Sequence, residues 1–248
     1  MPTNAPVVLE ICVESVASAI AAQRGGASRI ELCSDLLEGG VTPSAGLISS
    51  VRSAISVDLH VLIRPRAGDF CYSDDEFETM RRDIQAAKDL GANGVVLGIL
   101  TPAGLVDIHR TRSLVELARP LSVTFHRAFD MTDGLFRALD DVGATGASYL
   151  LTSGGAPTCL EGVNTIASMV QSGKIHIIAA GGIRPDNVAT ILQRTGVRHI
   201  HSGLNRSIPS PMTYRNPRVS MGKAGGREYQ RSVVLTEDVE ALRLAALE

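Results

Sequence analysis

The feature that most constrains the fold is a regular alternation of short β-branched runs with longer segments whose apolar residues have helical spacing. Eight such runs recur about every 27 residues, close to the roughly 30 residues of a strand–helix–strand unit. The predicted strands are residues 7–13, 29–32, 59–63, 94–99, 121–125, 148–151, 174–179 and 198–201. Gly or Pro ends the helical segments, and Ser73 with Glu76 predicts a capping box. Eight units in one chain predict a single-domain (β/α)8 TIM barrel of the α/β class over residues 1–248.

Composition and short motifs exclude several other classes of protein. The chain is 44% hydrophobic and 20% charged, which is typical of a folded domain, and its net charge of −2 offers no basic surface for nucleic acid or an anionic membrane. No apolar run approaches the ~20 residues of a membrane span, and the first residues do not form a signal peptide. The four cysteines are too sparse for a disulfide scaffold, so we expect reduced thiols and a cytoplasmic location. No Gly-x-Gly-x-x-Gly motif follows a predicted strand, which argues against a dinucleotide fold.

The regular pattern stops after the eighth predicted strand. Residues 204–232 contain three prolines and a Gly-Gly pair and show no sustained period. The last helix is predicted to begin near Thr236. We expect residues 204–232 to form an irregular extended arm, serving as a lid or a subunit contact, or else a plain surface excursion.

Two predicted strands carry the same Glu-x-Cys pattern. Glu10 and Cys12 share one face of the first strand, and Glu31 and Cys33 share the corresponding face of the second. Because barrel strands turn their apolar face towards the helices, the polar residues should point inward. Neighbouring strands lie ~4.8 Å apart. We therefore expect Cys12 and Cys33 to face each other at the carboxyl-terminal mouth, with the two glutamates one layer deeper.

The spacing alone leaves three roles open for this cysteine pair. Two thiolates could bind a soft metal such as Cu(I), for which thiolate is the preferred ligand. The thiols could instead form a labile, redox-responsive disulfide, or be small buried groups without chemistry. Zinc is disfavoured because no third and fourth ligand occur at a standard spacing. Cys71 and Cys159 are expected to be unpaired thiols.

Polar side chains also follow other predicted strands. Arg64 follows the third strand, and His126 and Asp130 follow the fifth. Polar residues at the carboxyl ends of several barrel strands are typical of an active or binding site. The two glutamates with His126 and Asp130 are therefore candidate catalytic residues, and Arg64 is a candidate anion clamp. The alternative is a buried ion-pair lattice, in which Arg64 is the expected partner of the glutamates.

Two glycine-containing loops form a candidate anion site. Gly181 and Gly182 follow the seventh strand, and Ser202 and Gly203 follow the eighth. Barrels often hold a phosphate on backbone N–H groups at these two places, although glycine also makes tight turns. The remaining isolated histidines are expected to be surface or core groups: His60, His109 and His176.

Several longer motifs resemble the CutC copper-homeostasis family. The matching segments are LEIC (9–12), RIELC (29–33), EGGVTPS (38–44), IRPRAGDF (63–70), YSD (72–74), VTFHRAFDM (123–131), LTSG (151–154), SPM (210–212) and YRN (214–216). They cover the chain from about residue 8 to the C-terminus. One departure is Gly203, where members of the family commonly carry Ala.

The resemblance implies a (β/α)8 barrel, a cytoplasmic location (with nuclear occurrence in a eukaryote), self-association into a homo-oligomer, and a role in copper handling. It also implies that Cu(I) is the bound ion and that Cys12 and Cys33 are its ligands. We add His201 as a candidate supporting ligand. The alternative is an enzyme of unassigned activity that acts on a small anionic or phosphorylated metabolite at the polar mouth.

Overall fold

The computed structural model describes residues 7–221 and 227–247. Eight parallel strands close into a barrel in the order β1 to β8, which confirms the predicted (β/α)8 TIM barrel. The strands are β1 Val8–Val13, β2 Arg29–Leu32, β3 Asp58–Leu62, β4 Gly94–Leu97, β5 Ser122–Phe125, β6 Tyr149–Thr152, β7 His176–Ala179 and β8 His199–Ser202. The helices are α1 Val16–Arg24, α2 Ala45–Ala54, α3 Asp74–Asp89, α4 Ile108–Ala118, α5 Leu135–Thr145, α6 Val163–Ser172, α7 Val188–Thr195 and α8 Thr236–Ala245. None of these helices combines the length and the apolar character needed to cross a membrane.

The alternation of side chains along β1 divides the interior into two parts. Leu9 and Ile11 belong to the large apolar core between the strands and the helices. Cys12 packs instead with Cys33 and Leu62 in a small cluster inside the barrel. The same alternation buries Glu10 inside the barrel, where its charge needs a partner.

Local signals in the sequence set the ends of several helices. The capping box at the start of α3 is confirmed, because Ser73 Oγ accepts from the Glu76 N–H (3.2 Å) and Glu76 Oε2 accepts from the Ser73 N–H (2.8 Å). The predicted start of the last helix near Thr236 is also confirmed.

The prediction that residues 204–232 lack regular structure is wrong at both ends of the segment. Strand β9 (Asn205–Pro209) pairs antiparallel with β10 (Gln230–Val234). The Val234 N–H donates to Ser18 Oγ at 3.1 Å, which joins this hairpin to α1. The two strands are short and mostly polar, and each depends on a partner about 25 residues away. A local period therefore could not reveal them.

Gly162 fixes the loop after β6 against α6, and its replacement provides a test of this packing. A Cβ at Gly162 would lie 1.9 Å from the Ser153 carbonyl oxygen, a backbone atom that cannot rotate away. We expect Gly162→Ala to lower the free energy of unfolding by about 2–3 kcal/mol. The matched control is Gly143→Ala on the exposed side of α5, where the nearest atom is 4.0 Å away and a gain of about 0.5–1 kcal/mol is expected. Urea unfolding measures both, and equal effects would contradict this account.

Candidate functional site

Two thiols meet at the carboxyl-terminal end of β1 and β2. The Sγ atoms of Cys12 and Cys33 lie 3.5 Å apart and both residues are buried, which confirms that they face each other. The prediction that Glu10 and Glu31 form one deeper layer is wrong. Cys12 is level with Glu31 in the register of β1 and β2, because neighbouring strands in a tilted barrel are staggered. Glu31 therefore lies beside the thiols, and Glu10 alone lies below them.

Glu31 and His201 complete a cluster around Cys12 that has the atom types of a metal site. One ligand atom from each of these three residues lies within 4.8 Å of the other two. Cys12 Sγ is 3.8 Å from Glu31 Oε1. His201 comes from β8, which pairs with β1 and so closes the barrel at this point. Three strands thus bring sulfur, carboxylate and imidazole together, and Cys33 adds a second sulfur.

Glu10 is fully buried and is held by Arg29 and His201. Arg29 Nε donates to its Oε2, and His201 Nδ1 lies 2.6 Å from its Oε1. The expectation that Arg64 pairs with the glutamates is therefore wrong. Arg29 is opposite Glu10 in the register of β1 and β2, whereas Arg64 follows the end of β3 and binds backbone carbonyls there.

The two glutamates experience opposite electrostatic environments. Burial raises the pKa of Glu10, but the hydrogen bond with His201 and the charge of Arg29 outweigh it and lower the pKa to about 2. For Glu31, burial dominates and the negative charge of Glu10 adds to it, which raises the pKa to about 7. Glu10 is therefore a permanent anion, whereas Glu31 exchanges its proton near neutral pH.

The same environment changes the thiol and the imidazole. The hydrogen bond with Cys33, burial and the charge of Glu31 raise the pKa of the Cys12 thiol well above its usual value. Burial lowers the pKa of His201, but the carboxylates of Glu31 and Glu10 outweigh burial and raise it. In the absence of a cation, Cys12 is therefore a neutral thiol.

Arg64 closes one side of the mouth with its guanidinium bound to backbone. Nη1 donates to the carbonyl oxygens of Glu38 (2.8 Å) and Gly40 (2.6 Å), and Nη2 donates to that of Gly68 (2.9 Å). The Phe70 ring lies 5.2 Å from the guanidinium carbon. These contacts fix Arg64 without neutralising its charge.

His126, at the end of β5, is a neutral histidine of defined tautomer. Burial and the charge of Arg64 lower its pKa to about 3. The Ala128 N–H donates to Nδ1 at 3.2 Å, so the ring proton must be on Nε2. His126 therefore offers an N–H donor at neutral pH and carries no charge.

Asp130 fastens the loop after β5 to the loop after β6. Its carboxylate accepts from the N–H groups of Ser153 and Gly155 (both 3.0 Å), from the Thr152 hydroxyl and from Arg127 Nε (2.8 Å). A carboxylate with this many donors is suited to positioning Arg127 rather than to proton transfer.

The predicted anion loops lie at the same end of the barrel. Gly181 and Gly182 have φ values of +99° and +73°, a conformation that glycine adopts without strain. The Ser202 hydroxyl donates to the Ile183 carbonyl at 2.8 Å, and the Gly203 carbonyl accepts from Asn205. The first of these contacts joins the two loops, but neither loop lines the cavity described next.

A cavity of about 380 Å³ opens at the carboxyl-terminal mouth. Its polar lining includes Cys12, Glu31, Arg64, His126 and His201, and apolar residues such as Leu36, Leu62 and Phe70 form other walls. A larger cavity of about 630 Å³ lies at the opposite end, near the starts of β7 and β8. Barrel sites form at the carboxyl-terminal end, where the ionisable groups converge, so the smaller cavity is the candidate site.

One further interior residue, Arg29, was missed by sequence reasoning. Arg29 had a signal, because Arg29, Glu31 and Cys33 alternate along β2 and must share the inward face. His60 is buried and burial lowers its pKa to about 4, whereas His109 and His176 are exposed. Cys71 and Cys159 are free thiols.

Comparisons with known proteins converge on one family. The CutC family model matches residues 7–206. A family protein CutC from Chromobacterium violaceum is 45% identical over 240 residues, covering 96% of this chain and 97% of the relative. The copper homeostasis protein cutC homolog of Mus musculus is 44% identical over 242 residues, covering 96% and 89% of the two chains. The crystal structure of CutC from Streptococcus agalactiae superposes with a TM-score of 0.75 at 31% identity, covering 79% of this chain and 97% of that one.

Glu31→Gln and Glu10→Gln are expected to shift stability in opposite directions. Folding raises the pKa of Glu31 from 4.5 to about 7, so its ionisation costs folding free energy as the pH rises through that window. We expect Glu31→Gln to raise the free energy of unfolding by about 1–3 kcal/mol near pH 8, with the gain vanishing below 4.5.

Glu10, with its pKa lowered to about 2, contributes stability above 4.5 that is lost as the pH falls towards 2. Glu10→Gln also leaves Arg29 unpaired and should cost about 3–5 kcal/mol at neutral pH. Urea unfolding of both variants across this pH range measures the effects, and shifts of the same sign near pH 8 would contradict the assignment.

Proposed function

The chain belongs to the CutC family, and we propose that it serves copper handling by binding Cu(I) through Cys12 and Cys33. The observation that carries this proposal is the 3.5 Å separation of the two Sγ atoms on adjacent strands. Thiolate is the ligand that Cu(I) prefers, and the barrel strands hold both sulfurs in place before the ion arrives.

The neighbouring side chains support a cation at this position. Glu10 binds Nδ1 of His201, which leaves Nε2 available as a third ligand atom for the ion. Carboxylate–histidine pairs of this kind orient metal ligands in many proteins. Glu31 adds a carboxylate within 4.8 Å of the thiol and the imidazole. The hydrogen bond with Cys33 and burial raise the pKa of Cys12 most, and the negative charges of Glu31 and Glu10, which add to this rise, also attract a cation.

Replacing the two cysteines tests the ligand assignment. We expect the reduced protein to bind one Cu(I). Loss of a residue that only orients a metal ligand lowers metal affinity ~10–100-fold, so the double variant Cys12→Ser, Cys33→Ser, which loses two ligands, should lose more affinity than that. Competition with a chromophoric Cu(I) chelator measures both constants. Cys71→Ser is the matched control, because Cys71 is a free thiol in a loop after β3. Unchanged affinity in the double variant would refute the proposal.

The affinity for Cu(I) should fall as the pH is lowered. Because folding raises the pKa of the Cys12 thiol well above its usual value, the ion must displace a proton that is present throughout the neutral range. We expect the association constant to fall by about tenfold for each pH unit and each displaced proton. The same chelator competition between about pH 6 and pH 8 measures the slope, and a flat profile would mean that Cys12 is not a ligand.

A second candidate is an enzyme acting on a small anionic metabolite in the mouth cavity. The observation that favours it is Glu31, whose pKa of about 7 suits a general acid or base. The cavity of about 380 Å³ is of the size that holds small ligands. The loops that carry Gly181, Gly182 and Ser202 remain the candidate site for a phosphate. A metabolite that is retained through purification and identified by mass spectrometry would support this function. The function would be opposed if the protein catalysed no exchange of that metabolite's hydrogens with solvent.

We also propose that the protein is cytoplasmic, with nuclear occurrence as well if its source is a eukaryote, and that it assembles into a homo-oligomer. Exposed apolar side chains in the arm between β9 and β10 support self-association: Met212, Tyr214, Val219 and Met221. Residues 222–226 of that arm lie outside the described residues.

A further inference from the structure

Arg64 is a buried cation that no carboxylate neutralises. Among the described residues two arginines are buried, and the other, Arg29, pairs with Glu10. Arg64 is only 6% exposed, and its guanidinium donates to three neutral carbonyl groups and lies beside the neutral Tyr72 hydroxyl. Its Nε has no hydrogen-bond partner within residues 7–221 and 227–247, which the structure describes. A buried positive charge of this kind is costly unless an anion approaches it.

His126 lines the same cavity and carries a buried ring donor. It is also only 6% exposed, and its Nε2, which carries the ring proton, has no partner among the described residues. Its Nδ1 is occupied by the Ala128 N–H, so the ring cannot turn over without losing that bond. Arg64 and His126 both line the mouth cavity, and each keeps one buried N–H group unpaired.

Phe70 holds these two groups in one wall. Its ring centroid is 5.0 Å from that of His126 and 5.2 Å from the guanidinium carbon of Arg64. Leu36 and Leu62 supply apolar surface to the same cavity. The cavity therefore has a cationic, donor-bearing wall and apolar walls, which is the pattern expected for a ligand with an anionic head and an apolar body.

We propose that the mouth cavity binds a small organic monocarboxylate, with its carboxylate on Arg64 and the Nε2–H of His126 and its apolar part against Leu36, Leu62 and Phe70. The inference deepens the second function proposed above and rests on it for the cavity alone; copper is not required. One cation and one neutral donor match a single negative charge. Glu31, in the lining, disfavours a dianion such as a phosphate monoester.

Benzoate and its neutral isostere benzamide, added to the reduced, metal-free protein, test this proposal. Isothermal titration measures the affinities, and long-range ¹H–¹⁵N spectra follow the His126 ring. We expect benzoate to bind at least about tenfold more tightly than benzamide, since charge-assisted hydrogen bonds are the stronger ones. We also expect benzoate to shift the Nε2 resonance of His126 while the neutral tautomer persists.

Two variants and one control localise the binding. Arg64→Met removes the cation, and His126→Phe removes the donor but keeps a ring against Phe70. If loss of the three hydrogen bonds to carbonyl groups unfolds Arg64→Met, the His126→Phe variant still tests the site. Each folded variant should bind benzoate at least about tenfold more weakly. Arg82→Met is the control, because its side chain is 79% exposed on α3 and pairs only with a surface glutamate.

The outcomes separate this proposal from the function on which it rests. Equal binding of benzoate and benzamide keeps the cavity as a ligand site but overturns the carboxylate assignment. The proposal is also overturned if neither benzoate nor benzamide binds. It is overturned as well if His126→Phe leaves benzoate binding unchanged and benzoate does not shift the resonances of the His126 ring. The second function itself is tested separately by the metabolite retained through purification, and the Cu(I) titration measures other side chains.

Discussion

The ion network inside the barrel, formed by Arg29, Glu10 and His201, is the interaction on which the rest of the site depends. Glu10 is fully buried, so its charge is tolerated only because Arg29 Nε and His201 Nδ1 both bind it. The three residues come from β2, β1 and β8, and the network thereby joins the strands at which the barrel closes. The contact with Glu10 also orients the His201 ring. The positions of the metal-type ligands above it follow from this arrangement.

The network divides protons unequally between two glutamates that lie within one barrel. Glu10 binds Arg29, lies nearer than Glu31 to Nδ1 of His201 and remains ionised, whereas Glu31 keeps its proton up to about pH 7 because burial and the charge of Glu10 oppose its ionisation. The hydrogen bond with Cys33, burial and the negative charges of Glu31 and Glu10 raise the pKa of the Cys12 thiol and keep it protonated. A cation entering beside Cys12 and Glu31 would relieve that repulsion, so the site is most favourable electrostatically when a cation occupies it.

Much of the fold was predictable because its signals are local. The spacing of the β-branched runs and the capping box at Ser73 and Glu76 depend on neighbours in sequence, and both predictions are confirmed. The meeting of Cys12 and Cys33 also followed from alternation along two strands. The stagger between those strands did not, because it is set by closure of the whole barrel, and this made Arg29 rather than Arg64 the partner of Glu10. The β9–β10 pairing is likewise a contact between distant segments.

The mouth places two opposite kinds of polar side chain in the lining of one cavity of about 380 Å³. The β1–β2–β8 side carries sulfur and carboxylate groups suited to a soft cation, and the side beyond β3 and β5 carries Arg64 and the His126 N–H, suited to an anion. Phe70, Leu36 and Leu62 share the cavity lining with both sets of polar groups. The charges of Arg64 and Glu31 are therefore not cancelled by direct pairing. A cavity built in this way retains its cation and anion preferences independently, because each is set by a separate set of buried contacts. The residues that we propose for copper and those that we propose for an organic ligand are therefore separable by substitution, although they share one entrance.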